Sequence, residues 1–207
     1  QPQTVVTDRA MGTVPLSPPA YAVFTGDDPM FEPGDRANEG TARIAEDGFA
    51  EAMLAILASD NDVKTSNVAT SPGGPDDGPA VFSGESVTFN LSAQPGDKFQ
   101  FETMFVQSND WFYAFDDGGL ELFDGSTPVA GDVTGRVAIY DAGSEEDTAP
   151  GTGPTMLPGP VQKPVQEATA SNFGTDEDVD IENARTRHPN FTIPANNTVI
   201  RVTVTPQ

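Results

Sequence analysis

Short β-prone runs recur along this chain, each closed by a turn signal, and a single stretch carries helical periodicity. The turns draw on 20 glycines and 19 prolines in 207 residues. Proline interrupts helices and central strands, and glycine supplies the backbone conformations that tight turns need. Val87, Phe89 and Leu91 alternate with Thr88 and Asn90, which predicts a half-buried strand. After the turn Pro95-Gly96-Asp97, Phe99, Phe101, Thr103 and Phe105 share one face of a second strand, and the two runs together predict a hairpin. Further strands are expected at 20–24, on an edge, and at 63–69, 133–140 and 198–205. A short β-branched run, Thr4-Val5-Val6-Thr7, stands near the start. The helical stretch is 32–58. Asp35 is the expected N-cap, 37–46 a first helix and 49–58 a second, with Asp47-Gly48 between them. Phe49, Ala52, Met53, Ile56 and Leu57 form one stripe, read as core packing. Many strands plus one helical insertion predict an all-β, antiparallel sandwich of one domain, 14–207, preceded by an arm, 1–13.

Charge narrows the partners. The 32 acidic residues stand against 10 basic ones, a net charge of −22. Such a surface repels nucleic acid, which requires a basic footprint. It suits a salty habitat, where ions screen self-repulsion, and it also suits specific cation ligation; the two readings are compatible. No apolar run approaches the roughly 18 residues of a membrane span. The first residue is Gln, so removal of a secretory signal peptide is expected. The sequons at Asn90, Asn190 and Asn196 agree with export. There is no cysteine, and so neither a disulfide nor a thiolate metal site.

The chemistry concentrates around the sole tryptophan. Ser108-Asn109-Asp110-Trp111-Phe112 leads into Asp116-Asp117-Gly118-Gly119 and Leu120-Glu121-Leu122-Phe123-Asp124-Gly125, and a second acidic turn runs from Tyr140-Asp141-Ala142-Gly143 through Ser144-Glu145-Glu146-Asp147. Carboxylates on loops at strand ends are the oxygen ligands that a hard cation such as calcium takes. The alternative is that these acids only cap turns.

Five motifs in order resemble the spondin N-terminal domain family: Ser108-Asn109-Asp110-Trp111-Phe112, Leu120 to Gly125, Tyr140-Asp141-Ala142-Gly143, Arg187-His188-Pro189 before the last strand, and Ala37-Asn38-Glu39-Gly40 opening the helical insertion. Pro15-Leu16-Ser17-Pro18-Pro19 is similar to a run of prokaryotic members. The resemblance covers about residues 14–205. It implies a C2-like β-sandwich with calcium at one end, held by Asp110, Asp141 and Asp116, with Asp124 and Glu145 as further candidates. It also implies binding to cell-surface or matrix components, glycans among them, rather than catalysis. Asn109 stands where the family has proline, and Phe123 where animal members have cysteine.

An enzyme reading finds little to rest on. His188 is the sole histidine, no Gly-x-Ser-x-Gly pattern occurs, and a structural or hydrogen-bonding role suits His188 better. The expectation is an exported, calcium-binding, non-enzymatic surface or matrix protein of a salt-adapted microbe. The alternative is an extracellular filament subunit, joined to copies of itself through its N-terminal strand, and a secreted hydrolase comes third.

Overall fold

The computed structural model describes residues 4–6, 11–13, 16–69, 81, 86–106, 108–150 and 177–207. The strands are β1 (Thr4–Val6), β2 (Met11–Thr13), β3 (Ala20–Phe24), β4 (Val63–Val68), β5 (Lys98–Met104), β6 (Trp111–Phe115), β7 (Leu120–Glu121), β8 (Phe123–Asp124), β9 (Thr127–Pro128), β10 (Gly131–Asp132), β11 (Val137–Asp141), β12 (Glu182–Asn183) and β13 (Thr203–Val204). The helices are α1 (Glu39–Asp47), α2 (Glu51–Ser59), α3 (Ala184–Arg187) and α4 (Asn196–Val199).

One antiparallel sheet organises the molecule. Its strands lie in the order β12-β11-β6-β5-β3-β4, and β7 pairs with β5 as well. Strand alternation sends successive side chains to opposite faces, and both faces are covered. Val23, Phe99, Phe101, Trp111, Tyr113, Phe115, Val137 and Ile139 meet Leu16, Leu122, Val199 and Ile200 on one side. Ala20, Ala22, Phe24, Phe112, Ala114 and Tyr140 meet Met30, Ile44, Met53 and Leu57 from the helical insertion on the other. Double coverage explains why β6, Trp-Phe-Tyr-Ala-Phe, is buried at every position and reads as a continuous apolar run. The ribbons β8–β9 and β10–β13 complete a sandwich-like, mostly antiparallel fold with a helical insertion, as expected.

The insertion differs from expectation in its caps. Asn38, not Asp35, caps α1, its side chain accepting from Thr41 N at 3.0 Å. Gly48 ends α1 in the left-handed region, φ 73°, with its N–H bonded to Ile44 O at 2.8 Å. Gly40 lets the helices approach closely, because a Cβ there would lie 2.7 Å from Met53 Cα.

Three strand expectations change. Residues 86–91 keep the expected alternation, with Val87, Phe89 and Leu91 packed on the core, but they form no ladder and no hairpin with β5. The neighbours of β5 are β3, β6 and β7, which use both of its edges. Strand β3 is interior, between β4 and β5. The runs at 133–140 and 198–205 shorten to β11 and β13, because a 3₁₀ turn, Thr134–Arg136, precedes the first and α4 takes up the start of the second. The loop expected at 71–79 and most of the irregular stretch 149–183 lie outside the described residues.

Candidate metal centre

The site forms where β6 begins beside the end of β11, with Trp111 opposite Asp141 in the ladder. The turn before β6 is built by Ser108. Its hydroxyl donates to Phe105 O at 2.7 Å and accepts from Trp111 N at 3.0 Å, which fixes Asp110 at the strand's mouth. After β11 the chain turns at Gly143, whose φ of 68° and close approach to Val179 O leave no room for a Cβ. That turn folds residues 144–147 back over Asp110.

Asp110 is fully buried, and its Oδ2 accepts from Ser144 N at 2.7 Å, Glu145 N at 3.0 Å and Ser144 Oγ at 3.2 Å. Asp141, equally buried, accepts at Oδ1 from Gly143 N at 2.7 Å and Arg187 Nη1 at 3.0 Å. His188, placed by α3, brings Nε2 to 2.7 Å from Asp141 Oδ2 and 2.7 Å from Asp147 Oδ2. Trp111 Nε1 donates to the same Asp147 oxygen at 2.8 Å. The imidazole stacks against both Trp111 and Phe191, at centroid distances of 5.3 and 4.8 Å, and those two rings lie 6.3 Å from each other. The carboxylates and the ring nitrogen of Asp141, Asp147 and His188 lie within 4.8 Å of one another, a group that can hold a metal ion.

The electrostatics are unbalanced. Three buried carboxyls face one permanent cation, Arg187, and a histidine. Burial first, then the Asp141 charge, raises the Asp110 carboxyl well above the ordinary range; burial, then Asp110 and Asp141, does the same to Asp147. Asp110 Oδ1 and Asp147 Oδ1 are buried and have no hydrogen-bond partner among the described residues. Orphaned carboxylate oxygens in a cluster of like charge call for a proton or a cation.

Of the acids expected from sequence, Asp110, Asp141 and Glu145 are brought together, Glu145 through its backbone N–H. Asp116 is not with them. It lies beyond the far end of β6, about 20 Å away at ~3.3 Å per residue, and pairs with Arg136 at 2.9 Å. Asp124 is exposed in the β8–β9 ribbon. Sequence reasoning did not choose Asp147, although it closes the second acidic turn, and it gave His188 a hydrogen-bonding role only. The signal for both was order along the chain: Arg187-His188-Pro189 returns just before the last strand, and the sole tryptophan has one indole N–H to satisfy. No family model matches the chain, and no curated protein matches it in sequence. The likeness to spondin domains therefore rests on the motifs themselves. No helix among the described residues is long and apolar enough to cross a membrane.

Proposed function

We propose that this chain is an exported, non-enzymatic surface or matrix protein, spondin-like, in which a calcium ion at Asp110, Asp141 and Asp147 is a structural part of the fold. One observation carries the reading: among the described residues, a cluster of three buried carboxyls has two oxygens without partners and too little positive charge around it. The free ligand atoms are oxygens, the preference of a hard cation. The nitrogen of His188 is already engaged with two carboxylates, so His188 orients ligands from outside the ion's shell. Asp110, Asp141 and Trp111 are fully buried and Asp147 and His188 partly so, and a site this enclosed suits a structural ion better than a catalytic one. The hydrolase alternative has less support, because Ser144 Oγ is bound to Asp110 and the histidine faces acids rather than a nucleophile.

Calorimetry of metal-stripped protein tests this. Calcium binds with one-site behaviour, Asp110→Asn and Asp147→Asn weaken it at least tenfold, and His188→Gln weakens it less. Binding of zinc in preference to calcium, lost in His188→Gln, would replace calcium with a nitrogen-ligated metal. Binding of neither ion removes the proposal.

A further inference from the structure

Three sequons stand in this chain, and the fold treats them unequally. Asparagine accepts an N-linked sugar where a residue other than proline and then Ser or Thr follow it, on a surface that an enzyme can reach. Asn90-Leu91-Ser92, Asn190-Phe191-Thr192 and Asn196-Asn197-Thr198 meet the first condition. Geometry decides the second.

Asn190 is presented by a turn. Phe191 N donates to His188 O at 3.1 Å, with Pro189 and Asn190 at the two central positions, where both residue types are favoured. Phe191 stacks on His188 and Trp111 and anchors the turn from its inner side. Asn190 and Thr192, on either side of that ring, are exposed, and neither side chain is engaged in a hydrogen bond among the described residues.

Asn90 is presented by alternation. Val87, Phe89 and Leu91 pack on the core, while Thr88, Asn90 and Ser92 are exposed. No backbone hydrogen bond among the described residues ties 86–92 into a ladder. The amide and the hydroxyl of this sequon both face solvent, on a segment with which no described strand pairs.

Asn196 is the contrast. It is half-buried at the start of α4, and its Nδ2 donates to Val137 O of β11 at 2.7 Å while its Oδ1 accepts from Arg185 Nη2 at 2.8 Å. The hydroxyl of Thr198 is engaged as well, donating to Ala195 O at 2.6 Å. A sugar on the Asn196 nitrogen would stand against β11 and disturb a hydrogen bond that holds α4 to the sheet.

We propose that Asn90 and Asn190 carry N-linked glycans and that Asn196 does not. This rests on the reading of the chain as exported, because exported chains are the ones that meet such a transferase. The co-reactant is a sugar activated as a lipid-linked phosphate. The asparagine Nδ2 forms a bond to the anomeric carbon as the bond from that carbon to the phosphate oxygen breaks. The lipid phosphate leaves with the electron pair, one amide proton goes to base, and nothing is oxidised or reduced. The transfer is the work of a separate enzyme, and this chain supplies the acceptors.

The test is peptide mapping by mass spectrometry of the full chain, recovered from the medium and, separately, from the interior of the cells that make it. In the medium fraction, mass increments that fragment as sugars are expected on the peptides holding Asn90 and Asn190, and none on the peptide holding Asn196. Asn90→Gln and Asn190→Gln each lose one increment from the intact mass. Thr192→Ala loses the same increment as Asn190→Gln although it keeps the asparagine, and Asn196→Gln loses none. A medium fraction in which Asn90 or Asn190 is bare overturns the proposal and leaves export standing. An increment on Asn196 overturns the choice among the three sites. A chain found only inside the cells overturns the export reading, and this proposal with it.

Discussion

Two groups of buried acids lie on opposite faces of the central sheet, and their surroundings differ in kind. At the strand ends, Asp110 and Asp141 receive backbone N–H groups and a guanidinium, donors that favour the charged form. Beneath the helices, the Glu102 carboxyl meets, among the described residues, only the hydroxyl of Thr41, at 3.2 Å, and that hydroxyl also lies 3.1 Å from Met30 O. One hydroxyl proton cannot serve two acceptors. A proton on Glu102 resolves the conflict, with the carboxyl donating to Thr41 and Thr41 to Met30. Its neighbour Asp28 receives Gln100 Nε2 at 2.7 Å and Met30 N at 2.9 Å, and among the described residues no ion pair reaches either acid. Burial, then the Asp28 charge, pushes Glu102 well above its ordinary value, and burial raises Asp28 to about 6. Both groups are desolvated. Fixed N–H donors together with an arginine make one a place for a cation, while at Glu102 a single shared hydroxyl, with no cation paired to it or to Asp28 among the described residues, makes the other a place for a proton.

The comparison breaks most visibly at Asp141. Asp141→Ala takes from Arg187 its buried carboxylate and from His188 one of its two, leaving Arg187 with Glu182 and the Asp180 carbonyl and His188 with Asp147, and it frees the Gly143 N–H. Removing one member of a buried ion pair costs about 3–5 kcal/mol. Denaturant unfolding of the variant is expected to show that loss together with the loss of any response to calcium. A variant within about 1 kcal/mol of wild type would mean that the cluster is not the keystone of this end of the sheet.

A ligand that binds only the folded state stabilises it by about 2.7 kcal/mol at one hundred times its dissociation constant. Calcium is expected to raise the unfolding free energy by that order in wild type and in Glu102→Gln alike, and by at most about 1.4 kcal/mol in Asp110→Asn at the same calcium concentration. If Glu102→Gln abolished the effect, the two acid groups would not be separate.

Glu102→Gln sharpens the contrast on its own. A carboxyl whose pKa is raised by folding contributes most below its unfolded value, ~4, and that contribution is lost as pH climbs through the folded value. For Asp28 the window runs from about 4 to about 6. Gln at 102 removes the proton requirement, keeps an acceptor for Thr41 and brings an amide donor toward Asp28. The variant is expected to be more stable than wild type at pH 8 by about 1–2 kcal/mol, and to show a shallower fall between pH 4 and 6. Equal destabilisation at pH 5 and pH 8 would show that Glu102 is held charged.

How far the sequence reveals this depends on whether a feature is local. The period of 2 in β5 and the spacing of Ala52, Met53, Ile56 and Leu57 in α2 are properties of single segments, and both elements formed, but Phe49, expected to open that buried stripe, lies before α2 and is 41 % exposed. The acidic motifs at Asp110 and Asp141 were legible because each is a short turn next to a strand. Asp147 and His188 were not, because only the fold brings positions 36 and 77 residues downstream of Trp111 to its indole and its ring face. Residues 86–91 mislead for the same reason: alternation records which side chains are buried, and says nothing of whether the backbone has a neighbour. The N-cap passed from Asp35 to Asn38 because Met30 O, eight residues back, accepts from the Asn38 amide at 2.6 Å, a tertiary tie invisible in local propensity.

The smallest effect separates the true site from its sequence-level look-alike. Asp116 sits in the same aromatic-acidic stretch as Asp110 but at the other end of β6, where its carboxylate meets Arg136 Nε at 2.9 Å with both side chains partly in water. An exposed pair of this kind contributes about 0.2–1 kcal/mol, because water screens the charges and two side chains lose freedom. Asp116 N also donates to Arg136 O at 2.9 Å, a bond that any residue keeps. Asp116→Ala is therefore expected to cost less than about 1 kcal/mol, with the difference shrinking in molar salt. It is also expected to leave the calcium isotherm of wild type unchanged, whereas Asp110→Asn, six residues away at the other end of β6, weakens binding at least tenfold. Weakened calcium binding in Asp116→Ala would mean that the two ends of β6 are coupled through Arg136 and β11, and that the cation's influence reaches along the whole strand.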